Sequence, residues 1–326
     1  AHTLLVDVIV HVAVSVAGET YAYDLYCELW VDMRRGMSFT CGEAGLLENK
    51  PQRDFWMLST HLVPLLRKDE IEKGAEDLLL QYCPTALTDY KEHNAYLLAD
   101  KMGLHVEHLP LFHQQGTLSI LFFCVGTVQV ADDRQKSAYV SKVNIPAGTI
   151  VINTDAVHKD CCQMEIYHEC IHYAWHYMFF RLQDMHNSDI NKLRTKHVVI
   201  TNGKVPANPL KWMEWQARRG SFGLMMPLGL MRSQIEKHLS DLHQHSLHAG
   251  QKLDRVARAI ARERDLPKFR VRARLIQMGY IAAKGALNFV DGAYIEPFAF
   301  SLGNGGGDFS FVIDRKNSFF IYETND

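Results

Sequence analysis

Val6, Val8, Val10, Val12, Val14 and Val16 recur at every second position, which is the period of a half-buried strand. Residues 21–36, YAYDLYCELWVDMRRG, fit either a second strand or a helix, and nothing up to residue 70 carries a functional indication. The period then lengthens. Ile71, Ala75, Leu78, Leu79 and Tyr82 predict a helix closed by Pro84, and a second helix runs from about His93 to Met102 with Gly103 as its stop. LHVEHL follows as a short strand. Residues 118–130 and 137–145 alternate again around a polar turn and predict a hairpin, and Thr149–Asn153 adds a third strand. A small antiparallel sheet should therefore lead into the next helix, from about Cys162 to Leu182. There Tyr167, Cys170, Ile171, Ala174, Trp175, Met178 and Phe179 make one broad apolar face. Residues 183–210 read as a loop with a short strand, and Pro209–Pro227 as a helix that Pro227 closes. Further helices are expected over 233–246, 251–264 and 266–280. The tail from Gly292 is β-like, with FSFVI and SFFIYE flanking a turn at Asp314–Asn317.

Composition narrows the class. At 326 residues, 47% hydrophobic and 22% charged, the chain is an ordinary globular protein able to bury a large core. A net charge of -2 gives no general attraction to nucleic acid or acidic membranes. No stretch reaches the roughly 20 apolar residues of a membrane span, and Asp7 and His11 interrupt the apolar start as a strand would and a signal peptide would not. The seven cysteines form no CxxC pair or regular framework, which fits reduced thiols and a cytoplasmic location. Cys161 and Cys162 read as half-buried thiols rather than ligands.

The chemistry concentrates at Tyr167–His172, YHECIH. Two histidines four apart on a helix lie about 40° apart around its axis, so His168 and His172 can reach one metal while Glu169 faces the same cleft. This is the arrangement of a zinc hydrolase, which needs a third ligand and an open position for water. The residue where a third histidine would stand in the longer HExxHxxGxxH pattern is Met178, so that class is excluded. Glu214, in EWQA on the following helix, is well placed, with Ala217 allowing close approach; Asp184 and Asp189 are rivals. Zn2+ in such a set lowers the pKa of water to roughly 7, and Glu169, adjacent to a ligand but not itself one, suits the role of general base. Tyr173, Tyr177, His176 and His158 are the neighbours available to stabilise an oxyanion, with His176 read as a support for the ligands. An exposed strand, Thr149–Asn153 or its partner, would hold an extended peptide by strand addition.

Taken together, HECIH and EWQARRGSFGLMMP resemble the ImmA/IrrE family of metallopeptidases, whose HExxH is followed by a helix of form ExEANxFAxxLLMP. The register holds without a gap: Glu214 matches the ligand glutamate, Ala217 the alanine, and Leu224, Met226 and Pro227 the terminal LxMP. The likeness covers roughly residues 71–281. It departs at Arg218 for Asn, Gly220 for Phe, and Ile171 for the glycine that commonly precedes the second histidine. The resemblance implies an α+β, zincin-like metallopeptidase core, with a small antiparallel sheet packed on the HExxH helix and flanking N-terminal and C-terminal segments. It also implies limited proteolysis of a regulatory polypeptide such as a helix-turn-helix repressor.

Three parts are expected: residues 1–70 of unassigned role, a peptidase domain over 71–235, and a helical and β-hairpin region over 236–326. One stretch points elsewhere. Residues 251–275 carry Lys252, Arg255, Arg258, Arg262, Arg264, Lys268, Arg270, Arg272 and Arg274 against Asp254, Glu263 and Asp265. Such a stretch is either a solvated helix face or a DNA-binding surface, and the second would make the chain a regulator with a structural zinc site.

Overall fold

The computed structural model describes residues 3–32, 38–50, 56, 58–59, 61–112, 117–131, 140–157, 161–186, 192–196, 208–242, 249–287, 289–290, 293–294, 300–302 and 309–311. It is a mixed α and β structure. The valine alternation forms β1 (Thr3–Val16), which pairs with β2 (Glu19–Asp32) and through it with β3 (Ser38–Leu46) in an antiparallel sheet. Residues 21–36 thus begin as a strand. The two-residue turn between β1 and β2 puts Ala17 at φ 53° and Gly18 at φ 88°, the doubly left-handed geometry that matches the twist of a hairpin.

Next come α1 (Lys68–Tyr82), α2 (Ala95–Lys101) and β4 (His105–Leu109). The Asn94 side chain caps α2, accepting from Tyr96 N and Leu97 N. The expected strand over 118–130 is in fact two: β5 (Thr117–Phe122) and β6 (Gly126–Ala131), broken where Phe123 turns inward to stack on Phe180 at 4.4 Å. Only β6 forms the hairpin, with β7 (Val140–Ile145). β8 (Thr149–Asn153) instead lies between β4 and β5, followed by α3 (Cys162–His186) and β9 (Lys192–Lys196).

The resulting sheet has the order β4-β8-β5-β9. It is mixed, not purely antiparallel as expected, because β8 returns parallel to β4. β8 is buried at every position and flanked on both sides, so it offers no free edge to a peptide; the edges are β4 and β9.

α4 (Pro209–Met225), α5 (Leu228–Asp241), α6 (Ala249–Glu263) and α7 (Lys268–Gln277) complete the helical part. Beyond it, β10 (Phe289–Val290) pairs with β11 (Ala293–Tyr294), and β12 (Phe300–Leu302) with β13 (Phe309–Phe311). The FSF of the expected terminal hairpin therefore pairs backward; SFFIYE lies outside the described residues. Among the described residues no helix is long and apolar enough to cross a membrane.

One apolar cluster runs from Val63 to Ala283 and takes in faces of all seven helices, so α6 and α7 share the core that holds α3. α4 wedges between α3 and α1. A Cβ at Gly220 would stand 2.9 Å from Trp175 and 3.0 Å from Ile171, and one at Gly223 would stand 2.8 Å from the Cβ of Ala75. Glycine costs about 1 kcal/mol against alanine inside a helix. Here it is what allows the close crossing.

Part of the basic stretch serves this packing. Arg274 is fully buried; it donates from Nε to Met226 O at 2.9 Å and forks onto Glu72 of α1 at 2.7 and 2.6 Å. Arg264 donates to Met225 O at 3.1 Å and His93 to Leu224 O at 3.0 Å. Three side chains thus receive the last carbonyls of α4, the negative end of its dipole. Arg258 and Lys268 both pair with buried Asp254. These contacts make a folded clamp, while Arg255, Arg258 and Arg262 stay on the exposed side of α6.

Candidate metal centre

α3 and α4 lie side by side, and their facing sides bring His168, His172 and Glu214 together. Helical spacing puts the two histidines on one face of α3. α4 is started by Asn208, whose side chain accepts from Leu210 N at 2.9 Å, and by Pro209 in its first turn, which sets Glu214 one turn further in.

The separations are 3.0 Å between the two histidine Nε2 atoms, 3.3 Å from His168 Nε2 to Glu214 Oε2, and 3.5 Å from His172 Nε2 to Glu214 Oε1. Ligand atoms about 2.0–2.1 Å from a tetrahedral cation stand roughly 3.3 Å apart. All three residues are buried, and Glu214 Oε1 has no hydrogen-bond partner among the described residues. A buried carboxylate oxygen without a donor, facing two imidazole nitrogens, fits a metal ion. His168, His172 and Glu214 could hold one.

The protons on these rings follow from their partners. The Gln216 amide donates from Nε2 to Pro64 O at 2.6 Å, because only an NH2 can donate to a carbonyl. Its Oε1 therefore accepts from His176 Nε2 at 2.8 Å. Burial pushes the pKa of His176 down to about 3, so the ring is neutral and its Nδ1 is an acceptor. His172 is held well below the ordinary histidine value by burial and by the neighbouring rings of His168 and His176. Its Nδ1 donates to His176 at 2.9 Å, leaving Nε2 with a lone pair toward the site. For His168, burial lowers the pKa, but the hydrogen bond and charge of Glu214, with the nearby carboxylates of Glu169 and Glu165, together raise it.

Glu169 is fully buried and accepts from Ser119 Oγ of β5 at 2.6 Å. Ser119 fixes its direction beside the cluster. A cleft of about 330 Å³ opens against His168.

The four residues singled out from the sequence thus meet, three as possible ligands and Glu169 next to them. The other candidates do not. Asp184 belongs to the last turns of α3, and Asp189 and His158 lie outside the described residues. Tyr173 and Tyr177 pack against Phe123, at ring distances of 6.4 and 6.0 Å. His176 supports His172. Met178 packs with Val31 of β2. Cys162 is buried in the core, and none of the seven cysteines forms a disulfide.

Sequence reasoning missed Ser119 and Gln216. Ser119 was detectable as the one hydroxyl inside the apolar run LSILFF, and Gln216 as the polar residue two positions after Glu214. No protein-family model matches this chain, and no curated protein matches it.

Proposed function

We propose that the chain is a zinc metallopeptidase of the ImmA/IrrE type, built on a zincin-like core, that cleaves a regulatory polypeptide such as a helix-turn-helix repressor. The observation that carries this reading is Glu169: a carboxylate outside the ligand set, buried beside it and aimed by Ser119. A purely structural metal site has no use for such a group.

His168, His172 and Glu214 would hold the zinc. Zinc supplies Lewis acidity, acidifying water and polarising a carbonyl. Glu169 takes the proton on Oε2 or Oε1 and returns it to the leaving amine, while Ser119 keeps its carboxylate from rotating away. His172 stays unprotonated at Nε2 through the chain to His176 and Gln216. The cleft beside His168 gives the substrate its place, and edge strand β9, which pairs with β5, is available for strand addition.

Two departures from the family pattern offset one another, which supports the resemblance. Ile171 stands where a glycine is common and Gly220 where a phenylalanine is, and a Cβ added at Gly220 would stand 3.0 Å from Ile171 Cδ1. The bulk has moved from α4 to α3, leaving the helix crossing filled. The alternative of a DNA-binding regulator draws on fewer cations than residues 251–275 contain, because Arg264, Arg270 and Arg274 turn inward and Arg255, Arg258 and Arg262 remain exposed.

The test pairs metal analysis with cleavage. The zinc-loaded chain is incubated with a panel of helix-turn-helix repressors, and new N-termini are mapped by mass spectrometry. Glu169→Gln should keep stoichiometric zinc and lose every cleavage. Cleavage that persists in this variant would defeat the peptidase reading.

A further inference from the structure

The cleft beside His168 has an unusual wall. Val157 and Phe222 are apolar, Glu165 contributes one carboxylate, and Arg218 and Arg270 contribute two guanidinium groups. Arg218 lies one turn beyond Glu214 on the same helix, so it faces the same cleft as the candidate ligands.

Arg270 is the anomaly. It is 7% exposed, and its guanidinium makes no hydrogen bond or ion pair among the described residues; its neighbour is the Phe269 ring at 5.6 Å. The buried arginines around it are all engaged: Arg274 with Glu72, and Arg264 with Gln234 and Met225 O. Burying a cation without a counter-ion is strongly unfavourable. Its position in the first turn of α7 adds to this, because the free N–H groups there already make a positive end. An anion entering the cleft would relieve both.

We propose that Arg270, assisted by Arg218, seats a carboxylate of the polypeptide substrate, and so selects for an acidic residue or a free C-terminus close to the scissile bond. This rests on the peptidase reading of the same site and adds the substrate chemistry. The apolar part of the wall takes the aliphatic stem of the residue, and the guanidinium fork takes the two oxygens. Glu165 lines the same cleft, and its carboxylate repels an acidic group that enters on its side rather than beside the arginines.

The test uses the full chain carrying Glu169→Gln and loaded with zinc, so that bound peptides persist. Three octapeptides of otherwise common sequence are titrated by calorimetry: a central Glu with an amidated terminus, a central Gln with an amidated terminus, and a central Gln with a free terminal carboxylate. One of the two acidic peptides should bind about tenfold more tightly than the neutral one, and which of them does so names the source of the carboxylate. Arg270→Met, with zinc content unchanged, should erase the preference. Equal affinity for all three peptides overturns the proposal, as does a preference that survives Arg270→Met. Binding of inorganic phosphate with no discrimination among peptides also overturns it. The wild-type comparison of peptides, scored by kcat/KM, gives the same reading if either variant fails to fold. Acidic peptides that bind but are never cleaved sink the peptidase reading alone, whereas cleavage without charge preference sinks this proposal alone.

Discussion

Ser119 Oγ stands 2.6 Å from Glu169 Oε1, joining the middle of β5 to the N-terminal third of α3 across 50 positions of sequence. Both residues are fully buried, so the hydroxyl has replaced water as the donor to this oxygen. A hydrogen bond to a charged group is worth about 1.5–3 kcal/mol. Ser119→Ala should therefore lower kcat roughly tenfold or more while KM and zinc content stay close to wild type, measured by steady-state kinetics and metal analysis. A drop in zinc content equal to the drop in rate would show that Ser119 supports the ligands rather than the base.

Gln216→Leu removes the acceptor for His176 and the donor to Pro64, whose carbonyl then keeps, among the described residues, the Trp212 Nε1 donor at 3.2 Å. His176 is then free to take the other tautomer, and His172 loses the partner that keeps its Nε2 unprotonated. Groups that orient ligands in this way contribute about 10- to 100-fold to metal affinity. Competition against a chelator should show a loss of that size, and nitrogen NMR of the histidines should show the change of tautomer.

The fork between Arg274 and Glu72 ties α7 to α1 across 202 positions, with Arg274 fully buried. Removing Arg274 leaves Glu72 with only the longer ion pair to Arg219 at 3.7 Å and removes the donor to Met226 O, a loss approaching the roughly 3–5 kcal/mol of a broken buried pair. Arg274→Met should therefore unfold at markedly lower urea, and Glu72→Leu with Arg274→Met should recover part of the stability.

His93 gives the fold a pH dependence of known sign. Burial, with Arg264 nearby, holds its pKa down at about 4 against an ordinary 6.5. The unfolded chain therefore takes up a proton that the folded one refuses. Stability from this group is complete above about pH 6.5 and is lost as pH falls toward 4, by about 2 kcal/mol near pH 5. Urea denaturation of wild type and His93→Asn at pH 7.5 and pH 5 should show the wild type losing more, by about that amount. Equal losses would place the titration elsewhere.

Much of this protein is written locally. The valine alternation of β1, the apolar face of α3, the Asn94 cap of α2 and the proline at the head of α4 each follow from neighbours within one or two turns. The i, i+4 spacing of His168 and His172 needs only a helix to make it a pair. Glu214 became readable because its helix has its own local pattern. What period and propensity do not encode is which strand neighbours which. β5 and β6 read as one strand until Phe123 finds Phe180, and β8 reads as an exposed third strand until β4 and β5 enclose it. The pairings of Ser119 with Glu169, Gln216 with Pro64 and Arg274 with Glu72 span 50, 152 and 202 positions, and only the packed core selects them. The same holds for the basic stretch 251–275: sequence counts its charges, but burial against the end of α4 decides that most of the work of Arg264 and Arg274 is internal, and that Arg270 alone is left facing a cleft without a partner among the described residues. Charge is a property of the residue, whereas its counter-ion is a property of the fold.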